Sequence, residues 1–342
     1  MLRGFIVRLR PQGPWRFGPS SGAKDQVDTI FHSDSLYSAV TAAMRNLGFL
    51  EEWIAETAGA EDPAVRLSSF FPFLGDLLFV IPPRTVWPPA PSAKVRWKGS
   101  RFIPWSLIAP LLRDQMLDEE RWLADPVSEC LLPVEKNSSR EGPFQITKRS
   151  GASVDRLGGG NVEVRVTACL EFAQNAGMWC IAAFPDEAAE ARWSGRIKAA
   201  FRLLADSGIG GERSSGWGRF QFPDFGPIPD LPETAPAGPD GGSNDGTAPA
   251  YWLLSVFSPG EADSVDWTRG NYSLATRGGR VESVSRWGAP KLLTRVVEEG
   301  SVIFASTPPK GAARDVAPPD FPHPVYRAGF AVAVPVPWKT QS

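Results

Sequence analysis

Hydrophobic residues recur along the first 222 positions with two periods, one typical of strands and one of helices. In residues 2–10, Phe5, Val7 and Leu9 alternate with polar or basic neighbours, which predicts a strand with one buried face. Residues 33–47 place apolar side chains three or four positions apart and begin with serine and aspartate, which cap helices well. The same two periods predict a helix over 50–58, a strand over 77–81, strands over 162–172 and 178–184 that form a hairpin, a helix over 187–205 and a strand over 217–222.

Without residues 84–161, these elements follow the order strand, helix, strand, strand, helix, strand. That order is ferredoxin-like, with two helices covering one face of a four-stranded antiparallel sheet. We therefore predict an α+β fold and a first domain over residues 1–222. Residues 84–161 are rich in proline and polar side chains, and we predict that they form a long insertion in this domain.

Residues 223–249 differ from the rest of the chain, since they contain seven prolines and five glycines. Such a segment buries too little apolar surface to order itself, so we predict a linker. Residues 250–342 form a second, smaller domain rich in strands. Its strand-like runs cover 251–257, 272–275, 281–284, 292–297, 301–305 and 325–336, with room for one short helix near 261–265.

Charge is segregated along the chain. The formal charge of the 342 residues is -2, which excludes a protein that is basic overall. Residues 136–165 nevertheless carry six Lys or Arg against three Asp or Glu, and residues 269–295 carry six against one. Any contact with a nucleic acid must therefore use local patches.

Cysteine usage and hydropathy argue against a disulfide-rich, metal-binding, secreted or membrane protein. The three cysteines lack metal-binding spacing, and their odd number argues against a disulfide framework, so we expect reduced thiols in a cytoplasmic protein without a metal ion. Arg3, Arg8 and Arg10 break the N-terminal apolar run, which disfavours a signal peptide. No apolar run approaches the roughly 18 to 20 residues of a membrane span, and we expect no membrane contact.

The segment GIGGERSSGWGRF at 208–220 carries the most distinctive chemistry of the chain. Its glycines permit positive φ and close approach of backbone N–H groups to an anion, and its serines and arginines add donors suited to phosphodiesters. Arg213 stands where a dinucleotide fingerprint has its third glycine, and no G-K-[ST] follows as in a Walker loop, so we expect no nucleotide cofactor. The segment predicts a loop that grips a phosphate backbone; a mobile connector is the alternative.

This loop resembles the glycine-rich motif of the RAMP superfamily, the repeat-associated mysterious proteins of CRISPR effector complexes. Further segments, in the same order along the chain, resemble the fourth subunit of the type III-A (Csm) complex. They are FHSDSLYSA (31–39), FIPWSL (102–107), SVDRLGGG (153–160), YWLLSVFSP (251–259), RGGRVES (277–283) and YRAGFAVAVP (326–335). The resemblance spans both predicted domains, and the order of its segments is more specific than any one motif.

The resemblance implies two ferredoxin-like domains that hold the 5′ repeat-derived handle of the CRISPR RNA (crRNA), with no catalysis by this chain and no cofactor. It implies two protein partners, the large polymerase-like subunit and the first backbone subunit of the filament. It also implies that the insertion includes a thumb-like hairpin that presses on the guide RNA. The residues expected to bind RNA are His32, Ser33, Lys148, Arg149, Val154, Asp155, Arg156, Gly208, Gly210, Gly211, Arg213, Ser214, Ser215, Gly216, Trp217, Gly218, Arg219, Arg277 and Arg327.

Two other functions stay open at the level of sequence. His32, beside Ser33 and Asp34, has the chemistry of a general acid–base, so one alternative is a metal-independent endoribonuclease of the same superfamily that processes CRISPR repeat RNA. No second catalytic group accompanies His32, and a helix-capping cluster explains the same residues. The other alternative, a protein-interaction module, leaves the basic patches without a role.

Overall fold

The structure is a computed structural model that describes residues 2–19, 21–89, 97–134, 141–154, 162–230, 249–283 and 288–338. In chain order, the first part contains β1 (Arg3–Leu9), α1 (Ser33–Asn46), α2 (Leu50–Glu56), β2 (Arg66–Leu67), β3 (Phe71–Leu74), β4 (Leu77–Val80), β5 (Ile103–Pro104), α3 (Ile108–Leu112), β6 (Trp122–Ala124), β7 (Leu131–Pro133), β8 (Phe144–Val154), β9 (Val162–Phe172), β10 (Ala176–Phe184), α4 (Glu187–Ser207) and β11 (Asp224–Pro227). The second part contains β12 (Ala250–Leu253), β13 (Val265–Asn271), β14 (Leu274–Arg277), β15 (Thr294–Val297), β16 (Val302–Ala305), β17 (Ala313–Asp315), β18 (Tyr326–Ala328) and β19 (Ala333–Val336).

The first sheet has the strand order β11–β1–β10–β3–β4–β5, with β2 also paired to β10. Its first four strands reproduce the ferredoxin-like order, in which the last strand and the third strand flank the first, and all of these pairs are antiparallel. The alternation of side chains along β1 explains its position between two cores. Phe5, Val7 and Leu9 enter one core, and Ile6 enters the other. The predicted fold class of this part is confirmed.

The two faces of this sheet are both covered. Helices α1, α2 and α4 pack on one face and form the first core with the odd-numbered side chains of β1. The other face is covered by the insertion and by the C-terminal sheet, which contribute Trp105, Phe102 and Trp252 to a second core. Residues 97–112 and 130–132 of the insertion are therefore a packed part of the fold rather than a separate segment, and the broad face of the sheet does not offer an open platform for RNA.

Two strand predictions need correction. Residues 162–172 do not pair with 178–184; β9 pairs with β8 over its whole length, while β10 lies between β1 and β3. The physical reason is burial: all nine residues of β10 are buried, so this strand needs neighbours on both edges, whereas only three of the eleven residues of β9 are buried. Residues 217–222 form turns and one bridge at Phe220, because Gly216 and Gly218 take positive φ. The last strand is β11, which moves 224–227 out of the predicted linker.

The C-terminal part repeats the same strand order. Its four-stranded sheet runs β13–β16–β12–β19, and all three pairs are antiparallel. Among the described residues, the connections between these strands contain no helix, so the short helix predicted near 261–265 does not form. This part is therefore ferredoxin-like in strand order but lacks the covering helices within the ranges that the structure describes. Of all the helices described, none is long and apolar enough to cross a membrane.

Candidate nucleic-acid interface

The glycine-rich loop follows α4 and closes on itself. Gly208, with φ +77°, ends the helix, and its N–H donates to Leu204 O at 2.8 Å. The Ile209 N–H then donates to Gly218 O at 3.1 Å, which joins the two ends of the loop. Between them a short 3₁₀ turn, Arg213–Ser215, is flanked by left-handed residues on both sides.

Close packing inside the protein explains three of the glycines. A Cβ at Gly218 would lie 2.0 Å from Ile209 O, one at Gly210 would lie 2.3 Å from Arg16 O, and one at Gly208 would lie 2.7 Å from Trp217 O. Gly211 and Gly216 are different, because a Cβ there would meet only ordinary contacts or open space. The sequence interpretation assigned the glycines to close approach of an anion; in the structure Gly208 and Gly218 serve the close approach of the loop's own backbone, and Gly210 serves that of the segment after β1.

The loop is fixed to the segment that follows β1. The Gly211 N–H donates to Arg16 O at 2.8 Å, and the Gly218 N–H donates to Pro14 O at 3.0 Å. In the other direction, the Trp15 indole N–H donates to Arg219 O at 3.0 Å. These bonds hold the loop on a rigid base, so the alternative of a mobile connector is disfavoured.

The same segment carries the base of the long β8–β9 hairpin. Trp15 and Leu170 exchange two backbone hydrogen bonds, of 3.0 and 2.7 Å, and the Ala168 N–H donates to Lys24 O at 2.8 Å. The Lys24 ammonium then reaches Glu212 in the loop, with Nζ 2.9 Å from Oε1. Residues 12–19 and 21–24 therefore bring the glycine-rich loop and the hairpin, which lie far apart in the sequence, to one surface.

Side chains of the glycine-rich loop differ in how accessible they are to an anion. Ser214, Ser215 and Arg219 are exposed, and Trp217 is half-buried. Arg213 is half-buried and is already paired, since its Nη2 lies 2.6 Å from Oε1 of Glu282 in the C-terminal part. An anion that recruits Arg213 must compete with this carboxylate.

The β8–β9 hairpin presents two different faces. Its register places Arg149, Arg165 and Glu171 on one face, where Arg149 and Glu171 form two hydrogen bonds of 3.0 and 2.6 Å. This bond raises the pKa of the Arg149 guanidinium. The opposite face carries Lys148 together with valines that are unusually exposed, such as Val164 at 69%. The predicted thumb-like hairpin thus has one internally paired charged face and one apolar face.

The backbone of Val154 ends β8, and Asp155 and Arg156 lie outside the described residues.

Four other predicted RNA-binding residues lie in the interior. Arg277 and Arg327 both bind the carboxylate of Asp34 in the first turn of α1; Arg277 does so with two bonds, of 3.0 and 3.1 Å. Asp34 is buried, which alone would raise its pKa, but the two guanidinium groups outweigh the burial and hold the pKa well below its usual range. These two arginines are therefore already engaged by a carboxylate inside the protein.

His32 and Ser33 belong to the same interior contact between the two parts of the chain. His32 Nδ1 lies 2.9 Å from Oε1 of the buried Glu299, whose carboxylate also accepts from the Ser69 hydroxyl. Burial would raise the pKa of Glu299, but His32 and Ser69 lower it on balance. Ser33 Oγ accepts from the Val256 N–H at 3.1 Å. Sequence reasoning missed Glu299 and Ser69, and nothing near them in the sequence points to this contact.

Comparisons with known proteins agree with the fold. Residues 246–336 match the family model of the CRISPR Csm4 C-terminal domain. Over 98% of its length, the chain is similar to a chain of the Csm3–Csm4 subcomplex of a type III-A CRISPR-Cas interference complex, with 19% identity, a TM-score of 0.63 and 100% of that chain covered. It is also similar to chains of Csm1–Csm4 cassettes bound to cA4 (17% identity, TM-score 0.59) and to pppApA (16%, 0.58), in each case with 99% of this chain and 100% of the other covered.

A search of curated proteins found no match. The class that the fold defines is α+β, with antiparallel ferredoxin-like sheets. Within that class, the resemblance to the type III-A Csm4 subunit is confirmed by the C-terminal family match together with the fold shared over the whole length.

Proposed function

We propose that the chain is an RNA-binding subunit of a type III-A CRISPR effector complex, in the cytoplasm, that serves antiviral defence. In this proposal it holds the 5′ handle of the crRNA and bridges the large polymerase-like subunit to the backbone subunit. The observation that carries the proposal is the shared base formed by residues 12–19 and 21–24, which unites the glycine-rich loop and the hairpin on one surface.

The loop is suited to phosphates because its donors stand on a rigid support. Ser214 and Ser215 project from the 3₁₀ turn and Arg219 from the segment after it, and the backbone of both is hydrogen-bonded, so little conformational entropy is lost when an anion binds. Trp217 beside them offers an aromatic face for a base. The hairpin extends from the same base, and its apolar valine face fits the role of a wedge against the guide RNA.

The bridging role rests on the relatives. Chains with this fold occur in a Csm3–Csm4 subcomplex and in Csm1–Csm4 cassettes, which supports a subunit with two different protein partners. Co-purification of the tagged chain with the products of neighbouring genes, followed by sequencing of bound RNA, tests both roles. Recovery of crRNA with its repeat-derived 5′ end is expected; recovery of neither RNA nor the two partners would contradict the proposal.

Replacing Arg213 and Arg219 together with alanine is expected to weaken RNA binding and to flatten its salt dependence. Each arginine neutralises about one phosphate, so the slope of log K against log salt should fall in magnitude by about 1.4 for a single strand. Glu282→Gln is expected to strengthen binding, because it frees Arg213 from its carboxylate partner. The measurement is a salt titration of binding to handle-bearing RNA.

The control is Arg192→Ala, which removes an exposed arginine that pairs with Glu52 and Glu56 near the other end of α4. It should leave the slope unchanged. A folded double-arginine variant with the wild-type affinity and slope would show that the loop does not hold the RNA.

We further propose that the chain has no nuclease activity of its own. Its candidate general base, His32, is buried and engaged with Glu299, so it cannot reach a phosphodiester without separating the two parts of the chain. Labelled repeat RNA should stay intact with the purified protein, with or without a divalent metal ion. Specific cleavage that is lost in a folded His32→Gln variant would instead support the metal-independent endoribonuclease.

A further inference from the structure

An exposed phenylalanine lies between the glycine-rich loop and β11. Phe222 is 67% exposed, which is unusual for so large an apolar side chain. The guanidinium carbon of Arg202, on α4, lies 5.0 Å from the centroid of its ring. The aromatic ring therefore keeps an exposed surface while a cation holds its position.

A second cation and further rings continue this patch. Lys198 Nζ lies 4.8 Å from the ring centroid of Phe5 and 5.8 Å from that of Phe225, and Arg202 lies 5.9 Å from the Phe225 centroid. We call Lys198, Arg202, Phe222 and Phe225 the aromatic–cation patch.

Charge divides α4 into two halves. In the first half, Arg192 and Arg196 are neutralised by Glu52 and Glu56. In the second half, Lys198 and Arg202 form no ion pair with any described residue. Asp206 is the single carboxylate on this end of the helix, and Asp224 of β11 is paired with Arg10 instead. The patch is therefore positive on balance.

The patch is continuous with the glycine-rich loop. The Phe220 N–H donates to Ala205 O at 3.3 Å and the Gln221 N–H donates to Arg10 O at 2.8 Å, so residues 219–222 are held between α4 and the end of β1. Arg219, at the start of this segment, is exposed. Three residues span at most about 10 Å, which is the reach of one or two nucleotides.

We propose that Phe222 and Arg202 form a stacking platform for an unpaired base of single-stranded RNA where it leaves the glycine-rich loop, with Lys198 beside an adjacent phosphate. An exposed ring flanked by unpaired cations matches how proteins hold single strands, in which bases stack on aromatic or guanidinium planes and cations follow the backbone. This inference rests on the proposed function and extends its RNA contact from the loop to the second half of α4.

The test compares full-length variants in a salt titration with handle-bearing single-stranded RNA. Phe222→Leu keeps an apolar side chain but removes the stacking surface, and it should weaken binding about 5- to 150-fold, which corresponds to 1 to 3 kcal/mol per stacked base, without changing the salt slope. Phe222→Trp should retain binding. Arg202→Gln should weaken binding and reduce the slope by no more than about 0.7, while Arg192→Gln, on the neutralised half of the helix, should change neither quantity.

The outcomes separate this inference from the proposed function. If Phe222→Leu binds RNA as the wild type does while the Arg213 and Arg219 double variant is impaired, the platform is wrong and the loop still holds RNA. If neither variant is impaired, both proposals fail. Unchanged RNA affinity with loss of a co-purifying partner protein would assign Phe222 to a protein interface and would overturn the platform. Thermal melting confirms folding, which the exposed position of Phe222 should leave intact.

Discussion

Replacing Asp34 with alanine is expected to destabilise the protein by about 3 to 5 kcal/mol, because it leaves two buried guanidinium groups without their shared carboxylate. Urea unfolding of the purified chain measures the change. Asp62→Ala is the matched control: Asp62 also contacts two cations, Arg66 and Lys310, but it is exposed, so its loss should cost no more than about 1 kcal/mol. Equal effects of the two substitutions would contradict a buried ion cluster.

The same carboxylate predicts a pH dependence. Its pKa is lower in the folded chain than in the unfolded chain, where it is about 3.9, so the stability it contributes is fully present well above that value and is lost as the pH falls. When the pH is lowered below about 5, the free energy of unfolding of an Asp34→Asn variant should therefore fall less than that of the wild type. An equal fall in the free energy of unfolding of the two proteins at acid pH would show that Asp34 does not titrate with a lowered pKa.

Gly218→Ala is expected to disrupt the glycine-rich loop and with it the binding of RNA. The residue has φ +80°, which costs a side chain about 1 to 2 kcal/mol, and its new Cβ would lie 2.0 Å from Ile209 O, which adds about 1 to 3 kcal/mol of overpacking. Urea unfolding gives the loss of stability, and the salt titration described above gives the loss of RNA affinity.

Gly216→Ala isolates the backbone part of this effect. Gly216 has nearly the same backbone angle, φ +82°, in the same loop, but a Cβ there meets open space. The Gly216→Ala variant should therefore be destabilised only by its backbone conformation and should keep most of the RNA affinity. If the two alanine variants behave alike, the contact between Gly218 and Ile209 is not what shapes the loop.

Local periodicity was sufficient to predict the elements whose apolar residues lie mainly on one face. β1, α1 and α4 were predicted close to their observed bounds, because each alternates or repeats its apolar residues against the first core, although Ile6 of β1 also enters the second. The fold class followed from their order. Strand partners did not follow, since β9 and β10 both have strand propensity but only burial on all sides places β10 in the centre of the sheet.

The sequence by itself determined the residue types of the candidate site and the order of motifs that carries the resemblance. Only the tertiary structure decided which cations are available. Arg277, Arg327 and Arg219 look alike in sequence, yet the first two are bound by Asp34, which lies 243 and 293 positions away, while Arg219 is exposed. No local pattern in the sequence predicted the contact between Phe222 and Arg202. An ion pair or a ring contact between distant residues depends on how the chain packs, and local sequence patterns report only the nearest neighbours of each residue.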